Sequence, residues 1–134
     1  MIGFRNRGVG AVADVKKFHN QVYLVPEDMH MQRFFWRNLE TDMEPDVLAV
    51  AVNNCGITSA NRIATSTLYK SADLFESIYP EASRDIKEQT YIDDELVAAE
   101  NNEKLHTITN QSQMDEISGH ANMHNKGWVY SGDT

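Results

Sequence analysis

Tyr91-Ile92-Asp93-Asp94-Glu95-Leu96-Val97-Ala98-Ala99 is the stretch on which the reading of this chain turns. Two adjacent carboxylates stand between apolar β-formers, Tyr91 and Ile92 before and Leu96 and Val97 after, which predicts a β-hairpin over Gln89 to Ala99 with Asp93-Asp94 at its tip. A related site lies upstream, where Val9 to Val15 reads as a largely apolar strand of the kind buried in the middle of a sheet, with Asp14 near its end. Carboxylates on rigid strand ends suit hard divalent cations, and two such ions about 3.5–4 Å apart clamp the attacking and leaving oxygens of a phosphoryl transfer. Asp14, Asp93 and Asp94 are therefore the candidate catalytic and metal-ligating residues.

Outward from these sites the chain alternates short elements. Lys16 to Val22 predicts a short helical turn, Pro26-Glu27-Asp28 a second local turn, and Arg33 to Arg37 an aromatic strand. A polar connection over Asn38 to Asp46 leads to an apolar strand, Val47 to Val52, which the turn-forming Asn53-Asn54-Cys55-Gly56 breaks. Ala64, Leu68, Ala72, Phe75 and Tyr79 then recur at helical spacing, and Pro80 is read as the end of that helix. Asn101 or Asn102 can cap a last helix carrying Leu105, Ile108 and Ile117, and Lys126 to Ser131 reads as a closing strand. The order predicts an α+β fold, an antiparallel sheet with helices packed on one face, in a single domain spanning 1–134.

Charge restricts the partners. In 134 residues, 12 Lys and Arg against 20 Asp and Glu leave a formal net charge of −8, the wrong sign for an independent grip on nucleic acid. The acidic runs Glu40 to Asp46 and Glu81 to Glu103 read as solvated loops and helix faces. Cys55 is the single cysteine, which excludes an internal disulfide and fits a reducing compartment. No apolar run approaches the ~20 residues of a membrane span and no signal-peptide core is present, so the expectation is an intracellular, cytoplasmic protein. On that expectation the acceptor pattern Asn110-Gln111-Ser112 is a chance match. His120 and His124 would share a helix face, but a closed zinc site needs further ligands.

Tyr91-Ile92-Asp93-Asp94 resembles the Tyr-x-Asp-Asp catalytic turn of reverse transcriptases. Asp14-Val-Lys-Lys-Phe-His-Asn-Gln-Val22 resembles the first catalytic segment of Bel/Pao-like LTR retrotransposon polymerases, and Gln32-Arg-Phe-Phe-Trp-Arg37 the segment that follows it. Asn125-Lys-Gly-Trp-Val-Tyr-Ser-Gly132 looks like that group's Lys-Gly-Trp strand. The likeness runs in order from about Phe4 to Asp133; four letters alone are weak, and four segments in order are specific.

The resemblance implies a polymerase palm, a ferredoxin-like sheet, and RNA-directed DNA polymerisation in the intact enzyme. It also implies that this chain is a partial reverse transcriptase domain, a palm segment without fingers, thumb or RNase H, binding nucleic acid only weakly and inactive alone. Two Mg²⁺ or Mn²⁺ ions would be held by Asp14, Asp93, Asp94 and the backbone carbonyl of Val15, with template-primer (RNA or DNA) and dNTP as partners and a retroelement particle as the setting. Phe18, His19, Gly56 and Tyr91 fall at substrate-binding positions. His19 stands where the family carries the Phe or Tyr that gates ribonucleotides, and reads either as an altered gate or as a half-buried histidine without that role. Gly56 reads either as the family's glycine loop near the template or as a plain helix-entry turn. Competing with the polymerase fragment are a non-enzymatic remnant of a decayed retrotransposon and a small acidic interaction domain.

Overall fold

The computed structural model describes residues 8–109 and 113–131, so Asn110-Gln111-Ser112 lies outside the described residues. The strands are β1 (Val9–Lys16), β2 (Arg33–Trp36), β3 (Asp46–Ala49), β4 (Asp94–Ala99) and β5 (His124–Tyr130). Four helices of two turns or more occur among the described residues: α1 (Ala60–Phe75), α2 (Pro80–Gln89), α3 (Asn102–Thr109) and α4 (Gln113–His120). Single turns at His19–Gln21, Pro26–Met29 and His30–Gln32 fill the segment between β1 and β2.

β1 lies at the centre of a three-stranded antiparallel sheet of order β4-β1-β5. Its side chains alternate as a strand requires: Ala11, Ala13 and Val15 are buried, whereas Val12 and Asp14 are half-buried on the opposite face. Of these, Ala11 and Val15 join Val97 and Ala99 of β4 and Ala64, Leu68, Ala82, Ile86, Leu105, Ile108, Met114 and Ile117 of the helices in one core. Helices therefore cover one face of this sheet. β2 and β3 form a separate two-stranded ribbon, paired from Arg33↔Ala49 to Trp36↔Asp46 and exposed at every position.

α1 forms because Ala60, Ala64, Leu68 and Ala72 repeat at four-residue spacing and are all buried. It stops at Phe75, earlier than the periodicity suggests, so Tyr79 lies beyond it and stacks on Phe75 with ring centroids 6.2 Å apart. Pro80 does not end a helix; it begins α2. A proline at the first helical position gives up an amide that has no intrahelical acceptor, and its fixed φ suits the first turn. Ala82, Ser83, Ile86 and Gln89 then give α2 its buried face.

The hairpin expected over Gln89 to Ala99 is replaced by a helix, a turn and a single strand. α2 takes in only Gln89 of the expected incoming arm; Tyr91 and Ile92 lie beyond it, and the arm shrinks to the single Tyr91–Asp94 bridge. The last helix expected from Asn101 onward is two, α3 and α4, and Asn101 does cap the first: its Oδ1 accepts from the Lys104 amide at 2.8 Å.

Candidate functional site

Asp14 and Asp94 face each other directly across the β1–β4 ladder, at the end where β4 begins. Val12 and Leu96 are the next opposed pair on the same open face. Asp93 stands in the turn before β4, and its carbonyl accepts from the Val15 amide at 2.7 Å. That turn is closed by Tyr91 and Asp94, each amide donating to the other's carbonyl at 2.9 and 3.0 Å. Ile92, inside it, has φ +56°, a left-handed conformation that costs a β-branched residue roughly 1–3 kcal/mol. The strain persists because Ile92 is packed against the core and both turn ends are hydrogen-bonded. The sequence thus brings its three acidic candidates to one sheet corner, through a two-residue turn, Ile92-Asp93, closed by the single Tyr91–Asp94 bridge.

Burial, the neighbouring Asp93 and the opposed Asp14 push the Asp94 carboxyl above its usual pKa, while Lys126 draws it down. Lys126 also makes an ion pair with Asp14, Nζ to Oδ1 2.9 Å. Its position follows from an irregularity in the sheet. Ala13 pairs with Trp128 and Val15 with Asn125, so Asp14 alone on β1 is matched by two residues on β5, Lys126 and Gly127. This is a β-bulge, and Gly127 accommodates it with φ +142°, which a side chain would resist. Asp14, Asp94, Lys126, Gly127, Trp128 and the apolar Val12 and Val129 line a shallow groove of about 460 Å³ on the open face.

Beneath the carboxylates, on the helix side, lies a polar cluster that the sequence reading did not single out. Glu95 is fully buried and accepts from Ser118 Oγ at 2.5 Å and from Asn125 Nδ2 at 3.0 Å. Asn125 Nδ2 also donates to Asp115 Oδ1 at 2.8 Å, as does Trp128 Nε1 at 3.1 Å. Burial pushes the Glu95 carboxyl up to about 7; the two hydrogen bonds oppose that and Asp115 adds to it. Strand alternation was the available signal: if Asp94 faces out, Glu95 faces in.

The substrate-side candidates are spread more widely. Phe18 is buried in the core and meets the His19 ring edge-to-face at 5.3 Å. His19 is half-buried and its Nε2 hydrogen-bonds Asn61 Oδ1, joining the segment after β1 to the start of α1. Gly56, at φ +98°, makes the turn before α1, and Asn53 Nδ2 steadies the helix entry through the Ala60 carbonyl at 2.9 Å. Tyr91 is exposed, and Val15 is buried in β1. Arg33 and Arg37 donate to the nearby carbonyls of His30 and Thr41. Trp36 is exposed on the ribbon, whereas Trp128 is half-buried. His120 and His124 do not share a helix: the first ends α4 and packs edge-to-face on Phe75, and the second begins β5.

Among the described residues, no group of three or more His, Cys, Asp or Glu side chains is arranged to hold a metal ion. Two opposed carboxylates nevertheless suit Mg²⁺, which is commonly held by one or two carboxylates, with waters and substrate phosphates completing its shell. Burial raises the Asp94 pKa most, and repulsion from Asp93 and Asp14 adds to it; a divalent cation would relieve that repulsion. No protein-family model matches the chain, and no curated protein matches it as a relative. No helix among the described residues is long and apolar enough to cross a membrane.

Proposed function

We propose that this chain is a palm segment of a retroelement reverse transcriptase, of the Bel/Pao-like kind, whose intact enzyme carries out RNA-directed DNA synthesis. The observation that carries the reading is the direct opposition of Asp14 and Asp94 across β1 and β4, with the Asp93 turn tied to Val15. It supports the carboxylate geometry that the four ordered sequence segments lead one to expect.

Asp14, Asp93 and Asp94, with the Val15 carbonyl, are the residues that would hold the divalent ions. Bound there, the ions would supply activation of a primer 3′-hydroxyl and stabilisation of the leaving pyrophosphate. The chain's own contribution is orientation. The Val15 amide holds the turn by the Asp93 carbonyl, and the core packing of Ile92 fixes which way the two aspartates leave the backbone. The half-buried setting of Asp94 reduces water competition for a ligand. The net charge of −8 leaves template binding to other parts of an intact enzyme.

One observation favours the competing reading, a non-enzymatic remnant or acidic interaction domain: Lys126 already neutralises Asp14 within the chain. Mn²⁺ titration followed by the electron paramagnetic resonance of the free ion separates the two. The polymerase reading expects binding that weakens at least ten-fold in Asp14→Ala and in Asp94→Asn, and indifference to Mn²⁺ overturns it.

A further inference from the structure

We propose that Lys126 is a resident counter-ion that competes with divalent metal for Asp14, so that the bulge in β5 sets the metal affinity of the carboxylate corner. The proposal rests on the polymerase reading and concerns the same site. Its basis is the way the fold delivers the ammonium group. Asn125 and Trp128, the residues on either side of Lys126-Gly127, are both held on the helix face, Asn125 by Glu95 and Asp115 and Trp128 by Asp115. Their partners on β1, Val15 and Ala13, are separated by Asp14 alone. The extra residue on β5 therefore has to be absorbed opposite Asp14, and Gly127 absorbs it with φ +142°. Lys126 is left on the open face, where its Nζ reaches Asp14 Oδ1 at 2.9 Å.

A cation held this way differs from a permanent structural bridge in one respect. Lys126 is 59 % exposed and Asp14 43 %, so the ammonium group can leave into water with little loss of packing. A divalent ion at Asp14 and Asp94 would meet a like charge within a few ångströms, and must displace it. Displacement costs the ion pair, so the intact chain binds metal more weakly than a chain without the ammonium group.

The test is Mn²⁺ binding by electron paramagnetic resonance and calorimetry, on the chain as it stands, for wild type, Lys126→Met and Lys126→Arg. Lys126→Met is expected to tighten Mn²⁺ binding about three- to five-fold, and Lys126→Arg, which keeps the charge, to change it less than about two-fold. Equal or weaker binding by Lys126→Met, with binding by wild type intact and lost in Asp14→Ala, overturns the competition and leaves the metal reading standing. Tightening to the same extent in Lys126→Arg overturns it too, because the effect then follows the shape of the side chain and not its charge. Absence of Mn²⁺ binding by all three proteins overturns the metal reading, and the competition with it.

Discussion

Replacing Glu95 by Gln isolates the cost of an acid buried beneath the sheet. The Glu95 carboxyl rises from 4.5 to about 7 on folding, chiefly through burial. The native state therefore holds this proton more tightly than the unfolded chain does. The resulting stability is fully present below about pH 4.5 and is lost as pH rises to about 7. The shift corresponds to a difference of roughly 3 kcal/mol between the two ends of that window. Gln imitates the protonated acid: its amide can donate to Ser118 Oγ while its oxygen accepts from Asn125 Nδ2, the same two partners Glu95 uses. Urea unfolding at half-unit steps from pH 4.5 to 8, in chelator to exclude divalent ions, gives the difference curve. Wild type and Glu95→Gln should be nearly equal at the acid end, with the variant more stable by up to roughly 3 kcal/mol at pH 8. Subtracting the two curves cancels the titrations that the two proteins share. A flat difference across the window would refute the reasoning.

Further outcomes follow from single contacts. Leu68→Ala should destabilise the fold by about 2–5 kcal/mol in the same denaturation assay, because Leu68 is fully buried at the middle of α1. Asn101→Ala removes the acceptor of the Lys104 amide and should cost about 1 kcal/mol, whereas Asn102→Ala should cost less. Gly127→Ala meets no steric obstacle beyond its own chain neighbours, since no other heavy atom lies within 4 Å of the added Cβ, so its expected cost of about 1–2 kcal/mol is local backbone strain. That variant should also weaken the Lys126–Asp14 pair, detectable by NMR as loss of the contacts between the two side chains.

Local patterns made much of this protein legible. The apolar run Val9 to Val15, the four-residue repeat from Ala64 to Ala72, the Asn101 cap and the closing strand from Lys126 each depend on residues close in sequence, and each falls within or beside an observed element. The presence of carboxylates at strand ends was legible for the same reason. The ends of elements were not. Pro80 is equally compatible with stopping one helix and starting the next, and only the burial of Ala82 and Ile86 against the core selects the second. Likewise the β-formers around Asp93-Asp94 suggest two hairpin arms, but α2 runs to Gln89 and leaves the first arm only the Tyr91–Asp94 bridge.

The sequence by itself determined which residues could carry chemistry, because residue type and strand alternation are written in the chain. The tertiary structure alone decided which of them meet. That Asp14 faces Asp94, that Lys126 rather than its neighbours reaches Asp14, and that Glu95 lies between Ser118 and Asn125 all depend on pairings between segments dozens of residues apart. Register is set by the whole core, and one added residue in β5 is enough to change which side chain stands opposite Asp14.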